Sequence, residues 1–181
     1  MQRIANFEKV SYERFYKDVC NTLGLVNEVD IKIAYDSIKL PKRKTTGSAG
    51  YDFHTPFNII LYPGKTVNIP TGIRVQIDDG WVLQCYPRSG LGFKYRLQLD
   101  NTVGIIDSDY YHSDNEGHIF AKITNCSNDD KVLTLDSGQG FMQGVFMQYG
   151  ITVDDMAVGI RNGGFGSTDK INENNKPNIV I

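Results

Sequence analysis

Two rhythms of apolar residues divide the chain. Over roughly the first thirty residues Phe15, Val19 and Leu23 recur every fourth position, Ser11 stands where a helix is capped and Gly24 where one stops. The spacing predicts one short amphipathic helix whose tyrosines and Phe15 pack on the body of the protein. From Ile31 onward the spacing shortens to that of strands: Ile31 to Tyr35, Phe57 to Leu61, Thr66 to Ile69, Ile73 to Ile77, Trp81 to Tyr86, His118 to Thr124 and Lys131 to Leu135. Turn residues separate them at Pro63-Gly64, Asp78-Asp79-Gly80, Asn128-Asp129-Asp130 and Ser137-Gly138. Many short strands with regular turns predict an all-β sandwich or barrel. Residues Ile171 to Ile181 are Asn-rich with little to pack, and a mobile tail is expected there.

Composition sharpens this picture. A chain of 181 residues, 40% hydrophobic, can bury one respectable core and hardly two. The expected division is an N-terminal extension with the helix (1–30), a β core (31–158) and a C-terminal arm and tail (159–181). A formal charge of −2 and the want of a basic patch argue against a nucleic-acid partner. The short PKRK run, Pro41 to Lys44, reads as a solvated turn. No apolar run approaches the roughly 20 residues of a membrane span, and the N-terminus lacks a signal-peptide pattern. Cys20, Cys85 and Cys126 have no metal-ligand spacing and cannot all pair, which fits a reducing cytosol and a cytoplasmic protein with no membrane partner.

Five segments carry candidate chemistry. GSAGYD (Gly47 to Asp52) sets a carboxylate after a turn of small residues, and YPRSG (Tyr86 to Gly90) sets an arginine and a hydroxyl at the start of a helix or tight loop, suited to phosphate oxygens. LDNTVGIIDSDY (Leu99 to Tyr110) combines an amide, a glycine, acids and an aromatic, and GFMQG (Gly140 to Gly144) places Gln143 within an apolar strand. RNGGFGST (Arg161 to Thr168) joins freely bending backbone, whose N–H groups can wrap an anion, to a flat ring for a base. It reads as a nucleotide-phosphate lid or, on its own, as a Gly-rich linker.

In this order and spacing the five segments resemble the motifs of the trimeric dUTPase family, across Gly47 to Thr168. The resemblance implies a jelly-roll-like β subunit with a flexible C-terminal arm, a homotrimer with three active sites at subunit boundaries, and hydrolysis of dUTP to dUMP and pyrophosphate with Mg2+. It implies that Asp107 is the catalytic carboxylate that orients and deprotonates the attacking water, and that Asp109 holds the hairpin. Asn101, Gly104, Ile105 and Ile106 match the hairpin that receives uracil, with Phe120 adding a contact from the return strand. Fixed main-chain partners would leave cytosine with unpaired groups, a mismatch worth on the order of 10^4. Tyr110 matches the tyrosine that leaves no space for a 2′-hydroxyl. Arg88, Ser89, Gly90 and Gln143 match the phosphate-binding segments, and Asp52 the acid that holds Mg2+ through water. In the lid, Arg161, Gly166, Ser167 and Thr168 match contacts to the terminal phosphates and Phe165 the cover over uracil.

The chain departs from the family pattern in three places. YHSDNEGHI follows Tyr110 where Arg-Gly is common, giving a longer and more acidic tip; Gly140 stands where an arginine usually precedes the glutamine by three; and the lid is one residue shorter and ends in Thr168-Asp169. His112, Asp114, Glu116 and His118 match no standard zinc spacing and are read as a solvated tip, and His54 as structural. Two rival functions stand beside hydrolysis: a dCTP deaminase on the same subunit fold, and a regulatory protein that uses this body to bind a protein partner through the N-terminal helix or the long tip.

Overall fold

The computed structural model describes residues 2–163. It opens with strand β1 (Ala5–Lys9) and helices α1 (Tyr12–Leu23) and α2 (Glu28–Ser37). Then come β2 (Tyr51–His54), β3 (Ile59–Leu61), β4 (Thr66–Pro70), β5 (Ile73–Ile77) and β6 (Trp81–Pro87), a short helix α3 (Ser89–Tyr95), and strands β7 (Leu97–Leu99) and β8 (Gly104–Ile106). A 3-10 helix, Ser108–His112, precedes β9 (Phe120–Asn125), β10 (Leu133–Leu135) and the long β11 (Gly140–Gln148). The pairings among these strands are antiparallel and make a four-stranded sheet β2-β11-β6-β8, a three-stranded sheet β4-β9-β7, and two ribbons, β1-β5 and β3-β10. The sheets close on one core in which Phe53, Ile69, Leu83, Ile123, Leu133 and Phe141 are buried. The all-β architecture expected from the strand rhythm is the one observed.

Helix α1 forms where its signals lie. The Ser11 hydroxyl accepts the Arg14 N–H at 3.1 Å, and Gly24 closes the helix in the left-handed region at φ 66°. Phe15 and Val19 are fully buried in a second cluster with Val10, Ile31 and Ala34, and the Phe15 ring stacks on Phe57 at 6.0 Å. Full burial of such a side chain is worth about 1.5–3 kcal/mol each. The cluster sits on the β body at Gly72, whose φ of 72° and close approach to Ile38 and Phe15 leave no space for a side chain.

The segment Ile31 to Tyr35, expected as a strand, is the middle of α2. Alternation of Ile31, Ile33 and Tyr35 suggested period two, yet the structure buries Ile31 and Ala34 and leaves Ile33 63% exposed. That spacing of three belongs to a helix face. Asn27 settles the start, its side chain accepting the N–H groups of Val29 and Asp30, and Lys32 and Asp36 pair one turn apart. Helix α2 straddles the boundary expected at residue 30, and β1, which no signal announced, pairs with β5 from Ala5↔Ile77 to Lys9↔Ile73. The N-terminal segment is woven into the body by a strand as well as by helix packing.

Candidate active site

The four-stranded sheet carries most of the expected residues. A bulge in β11 between Gly140 and Met142 resets the register, so that Gln143 lies opposite Asp52 of β2 on one side and Tyr86 of β6 on the other. Asp52 is largely buried and is held by two cations, Arg88 Nε at 3.4 Å and Lys44 Nζ at 3.4 Å. The Gln143 side chain lies over Gly50, where an added Cβ would stand 2.6 Å from its Oε1, and its Nε2 donates to the Pro87 carbonyl at 3.4 Å. Ser89 and Gly90 begin α3 directly after Arg88, the helix start expected of the PRSG segment. Asp52, Arg88, Ser89, Gly90 and Gln143 thus form one polar group at the end of the sheet.

Gly140, the departure from the family arginine, has a local explanation. The Arg88 guanidinium lies against it, donating to the Gly140 carbonyl at 3.4 Å, and a Cβ there would meet Arg88 Nη1 at 2.7 Å. Arg88 fills the space that a side chain at position 140 would need.

A second group surrounds a cavity of about 410 Å³ between β8 and β9. Asn101, Gly104, Ile105, Ile106, Tyr110 and Phe120, all expected at the base and sugar, line it, and so does Arg161. Pairing of β8 with β6 sets Gly104 opposite Cys85, where a Cβ on Gly104 would lie 3.1 Å from that of Cys85, so the backbone itself forms this wall. The turn before β8 is tight: the Thr102 N–H donates to the Leu99 carbonyl at 2.8 Å, and Thr102 takes a φ of 61° that β-branched residues seldom adopt. Asn68, Cys85, Leu99, Asp100, Lys122 and Met142 also line the cavity and were not anticipated. Their signal was tertiary, since Asn68 faces Lys122 only through the β4–β9 pairing and Lys122 reaches Asp100 at 3.3 Å.

Asp107 precedes the 3-10 helix, at its cap position, but its side chain makes no capping bond. Its carboxylate pairs with Arg161 Nη2, while Arg161 Nε reaches Asp109 at 2.9 Å. Asp109, expected to hold its own hairpin, is therefore turned to the arm. The Arg161 guanidinium also stands 5.9 Å from the centre of the Tyr110 ring. Within one chain, the Asp52–Arg88–Gln143 group does not share the cavity that Asn101, Gly104 and Tyr110 line. Phe165, Gly166, Ser167 and Thr168 lie outside the described residues.

The long tip after Tyr110 differs from the solvated loop expected of it. Glu116 accepts the Ser11 N–H at 2.8 Å and the Ser11 hydroxyl at 2.7 Å, and the Arg14 guanidinium donates to the Asp114 carbonyl at 3.0 Å. His118 is buried, with Nδ1 2.7 Å from Asp18 of α1. Four polar residues that suggest a metal site in sequence are here drawn onto the N-terminal helix or spread around it, and among the described residues no group of three or more His, Cys, Asp or Glu side chains is placed to hold a metal.

Comparison with known proteins places this chain among nucleotide hydrolases of one family. The dUTPase family model matches residues 36–168. A deoxyuridine 5′-triphosphate nucleotidohydrolase of Lactococcus lactis is 40% identical over 144 residues, 78% of this chain and 95% of that protein. One of Azoarcus sp. is 35% identical over 155 residues, 80% of this chain and 99% of that protein. The crystal structure of dUTPase from Streptococcus mutans superposes with a TM-score of 0.60 at 32% identity, covering 81% of this chain and 98% of the other. The dUTPase of Staphylococcus aureus phage phi11, described with a structural Mg(II) ion, is 17% identical with a TM-score of 0.59 over 87% of this chain and 98% of the other, a likeness of fold alone.

Proposed function

We propose, from the premise that this chain belongs to the dUTPase family, that it hydrolyses dUTP to dUMP and pyrophosphate by attack of water on the α-phosphorus. The observation that carries the reading is the cavity whose backbone wall is Gly104, Ile105 and Ile106, followed directly in the chain by Asp107, whose carboxylate caps no helix and pairs with the cavity-lining Arg161. Backbone N–H and C=O groups held by the β6–β8 pairing present a fixed pattern to a uracil edge, and a cytosine there would leave buried groups unpaired. Tyr110, its hydroxyl fixed by the His118 carbonyl at 2.7 Å, lies against the deoxyribose. Asp107, half exposed and free of any capping role, orients a water and takes its proton. Arg161 exchanges Asp107 and Asp109 for phosphate oxyanions as the arm closes, and Phe165, Gly166, Ser167 and Thr168 complete the lid over base and phosphates.

The triphosphate lies toward Arg88, Ser89, Gly90 and Gln143. A Mg2+ ion bound with it would neutralise the charge developing on the phosphates. Asp52 fits a water-mediated contact to such an ion, because it is already paired with Arg88 and Lys44, and Mg2+ keeps much of its hydration shell. These groups belong to different subunits of a homotrimer. What supports this is that Asp52, Arg88 and Gln143 do not line the cavity within one chain, together with an extended stretch after β11 whose Ile151, Val153, Met156, Val158 and Ile160 are exposed and apolar.

The deciding variant is Asp107→Asn. It is expected to bind dUTP with Mg2+ at near wild-type affinity while turnover falls by about 10^3 or more. Wild-type-like pyrophosphate release by this variant would remove Asp107 from the role of base. Ammonia release from dCTP by the unaltered chain would favour the deaminase reading instead.

A further inference from the structure

We propose that Asp18 of α1 is a positioning residue for sugar selection: through the His118 ring it fixes the carbonyl that anchors the Tyr110 hydroxyl, and so the place of the Tyr110 ring beside the sugar. The inference rests on the dUTP reading given above and adds to it a specificity element from a segment that lies ahead of the family match, which begins at residue 36.

Asp18 sits on the inward face of α1 between Phe15 and Val19 and is 8% exposed. A carboxylate in that setting is costly unless paired and hydrogen-bonded. Its partners are His118 Nδ1 at 2.7 Å and Arg14 Nη1 at 3.4 Å. On the far side of the imidazole the Gly72 backbone N–H donates to Nε2 at 2.8 Å. A backbone N–H can only donate, so Nε2 carries a lone pair and the ring proton resides on Nδ1, directed at Asp18. The ring is thereby held at both ends, with Phe120 at 4.5 Å and Phe15 at 6.3 Å from its centre.

The backbone of the same residue meets the site. The Tyr110 hydroxyl donates to the His118 carbonyl at 2.7 Å and accepts from Asn115 Nδ2 at 2.7 Å. Tyr110 lines the cavity and is buried. On its C-terminal side the peptide that carries the His118 carbonyl is held by the Ile119 N–H, which donates to the Ile73 carbonyl at 2.9 Å, while on its N-terminal side the chain passes through Glu116 and Gly117, both with positive φ, and has no regular strand or helix to hold it. Residues 8–18 supply the support: Glu8 accepts the Tyr111 hydroxyl at 2.8 Å, Ser11 holds Glu116, Arg14 holds the Asp114 carbonyl, and Asp18 holds His118. Exclusion of a 2′-hydroxyl is a matter of tenths of an ångström in ring position, and such precision comes from the supporting contacts as much as from the ring.

The test compares the full-length wild type with Asp18→Ala, Asp18→Asn, Tyr110→Phe and the Asp18→Ala/Tyr110→Phe double variant, in hydrolysis of dUTP and UTP and in calorimetric binding of dUDP and UDP. Asp18→Ala is expected to narrow the dUTP/UTP ratio of kcat/KM by about tenfold, chiefly through a lower KM for UTP. Asp18→Asn, which keeps an oxygen acceptor for Nδ1–H, restores most of the preference. Tyr110→Phe narrows it similarly, and the double variant is no worse than either single one, because both changes cut the same chain of contacts. A lowered melting temperature for Asp18→Ala with an unchanged ratio overturns the proposal, since that is the mark of a purely structural role. Should Asp18→Ala fail to fold, an unchanged ratio in Tyr110→Phe overturns it equally. Binding of dUDP over UDP reads the same selection without turnover, so a wild type that binds but does not hydrolyse would defeat the proposed reaction and still decide this inference.

Discussion

Single side chains at this site act mainly by occupying or refusing space. Cys85 forms the floor opposite Gly104, and burial pushes its thiol up to about 12. The thiolate is the reactive form, so Cys85 is expected to resist a disulfide reagent in the native protein while the partly exposed Cys20 and Cys126 react first. Counting thiols released before and after denaturant checks this, and prompt labelling of Cys85 would contradict the packing. Gly140 gives the second case. Restoring the common family residue by Gly140→Arg is expected to displace the free end of the Arg88 side chain from the Gly140 carbonyl, lowering turnover by about tenfold with a stability change within about 1 kcal/mol. Turnover and melting equal to the wild type would show that Arg88 moves aside without cost. The motif residues were legible because their chemistry is local, a glycine and an acid at fixed spacing. Asp109 was not, since its partner Arg161 is 52 positions away and only the fold brings them to 2.9 Å.

Elements were legible where local signals agree with tertiary packing. Helix α1 has cap, stripe and stop in sequence and is found as expected, and β3, β4, β5, β6, β9 and β10 fall close to their predicted places, whereas the spacing predicts no strand at β2 or β7. Helix α2 was missed because Ile31, Ile33 and Tyr35 alternate, and what selects the helix is the burial of Ile31 and Ala34 against Phe15 and Val19 of α1. The contact between α1 and the loop before β9 also makes a prediction about acid. Burial lowers the proton affinity of His118 below its ordinary 6.5, with the Asp18 bond opposing, so the folded chain keeps the ring neutral. The unfolded chain takes up a proton as pH falls below about 6.5 and the folded one does not, so stability from this group is complete above that pH and declines as pH falls toward the folded-state value. Glu116 is raised by burial, but the two Ser11 bonds outweigh this and hold it below its ordinary 4.5, so its contribution is lost only at still lower pH. Melting temperature is therefore expected to fall as pH is lowered below about 6.5 in the wild type and to fall less in His118→Gln. Equal slopes in the two proteins would show that another group titrates there.

At the scale of the whole molecule the family resemblance implied sites shared at subunit boundaries, whereas the spacing of residues along one chain says nothing of which surfaces meet. Two observations bear on it: Asp52, Arg88 and Gln143 do not line the cavity of Asn101, Gly104 and Tyr110, and apolar residues from Ile151 to Ile160 are exposed along the extended chain after β11. A trimer whose sites combine the first group of one subunit with the cavity of another satisfies both. Complementation between two inactive variants tests this directly. Asp107→Asn damages the cavity side and Gln143→Ala the phosphate side, and homotrimers of either are expected to be inactive. When the two are unfolded together in equal amounts and refolded, random assembly gives each site an intact Asp107 and an intact Gln143 with probability one half each, so about one quarter of wild-type dUTP turnover is expected to return. A site contained within one subunit would return none, because every chain in the mixture carries one lesion.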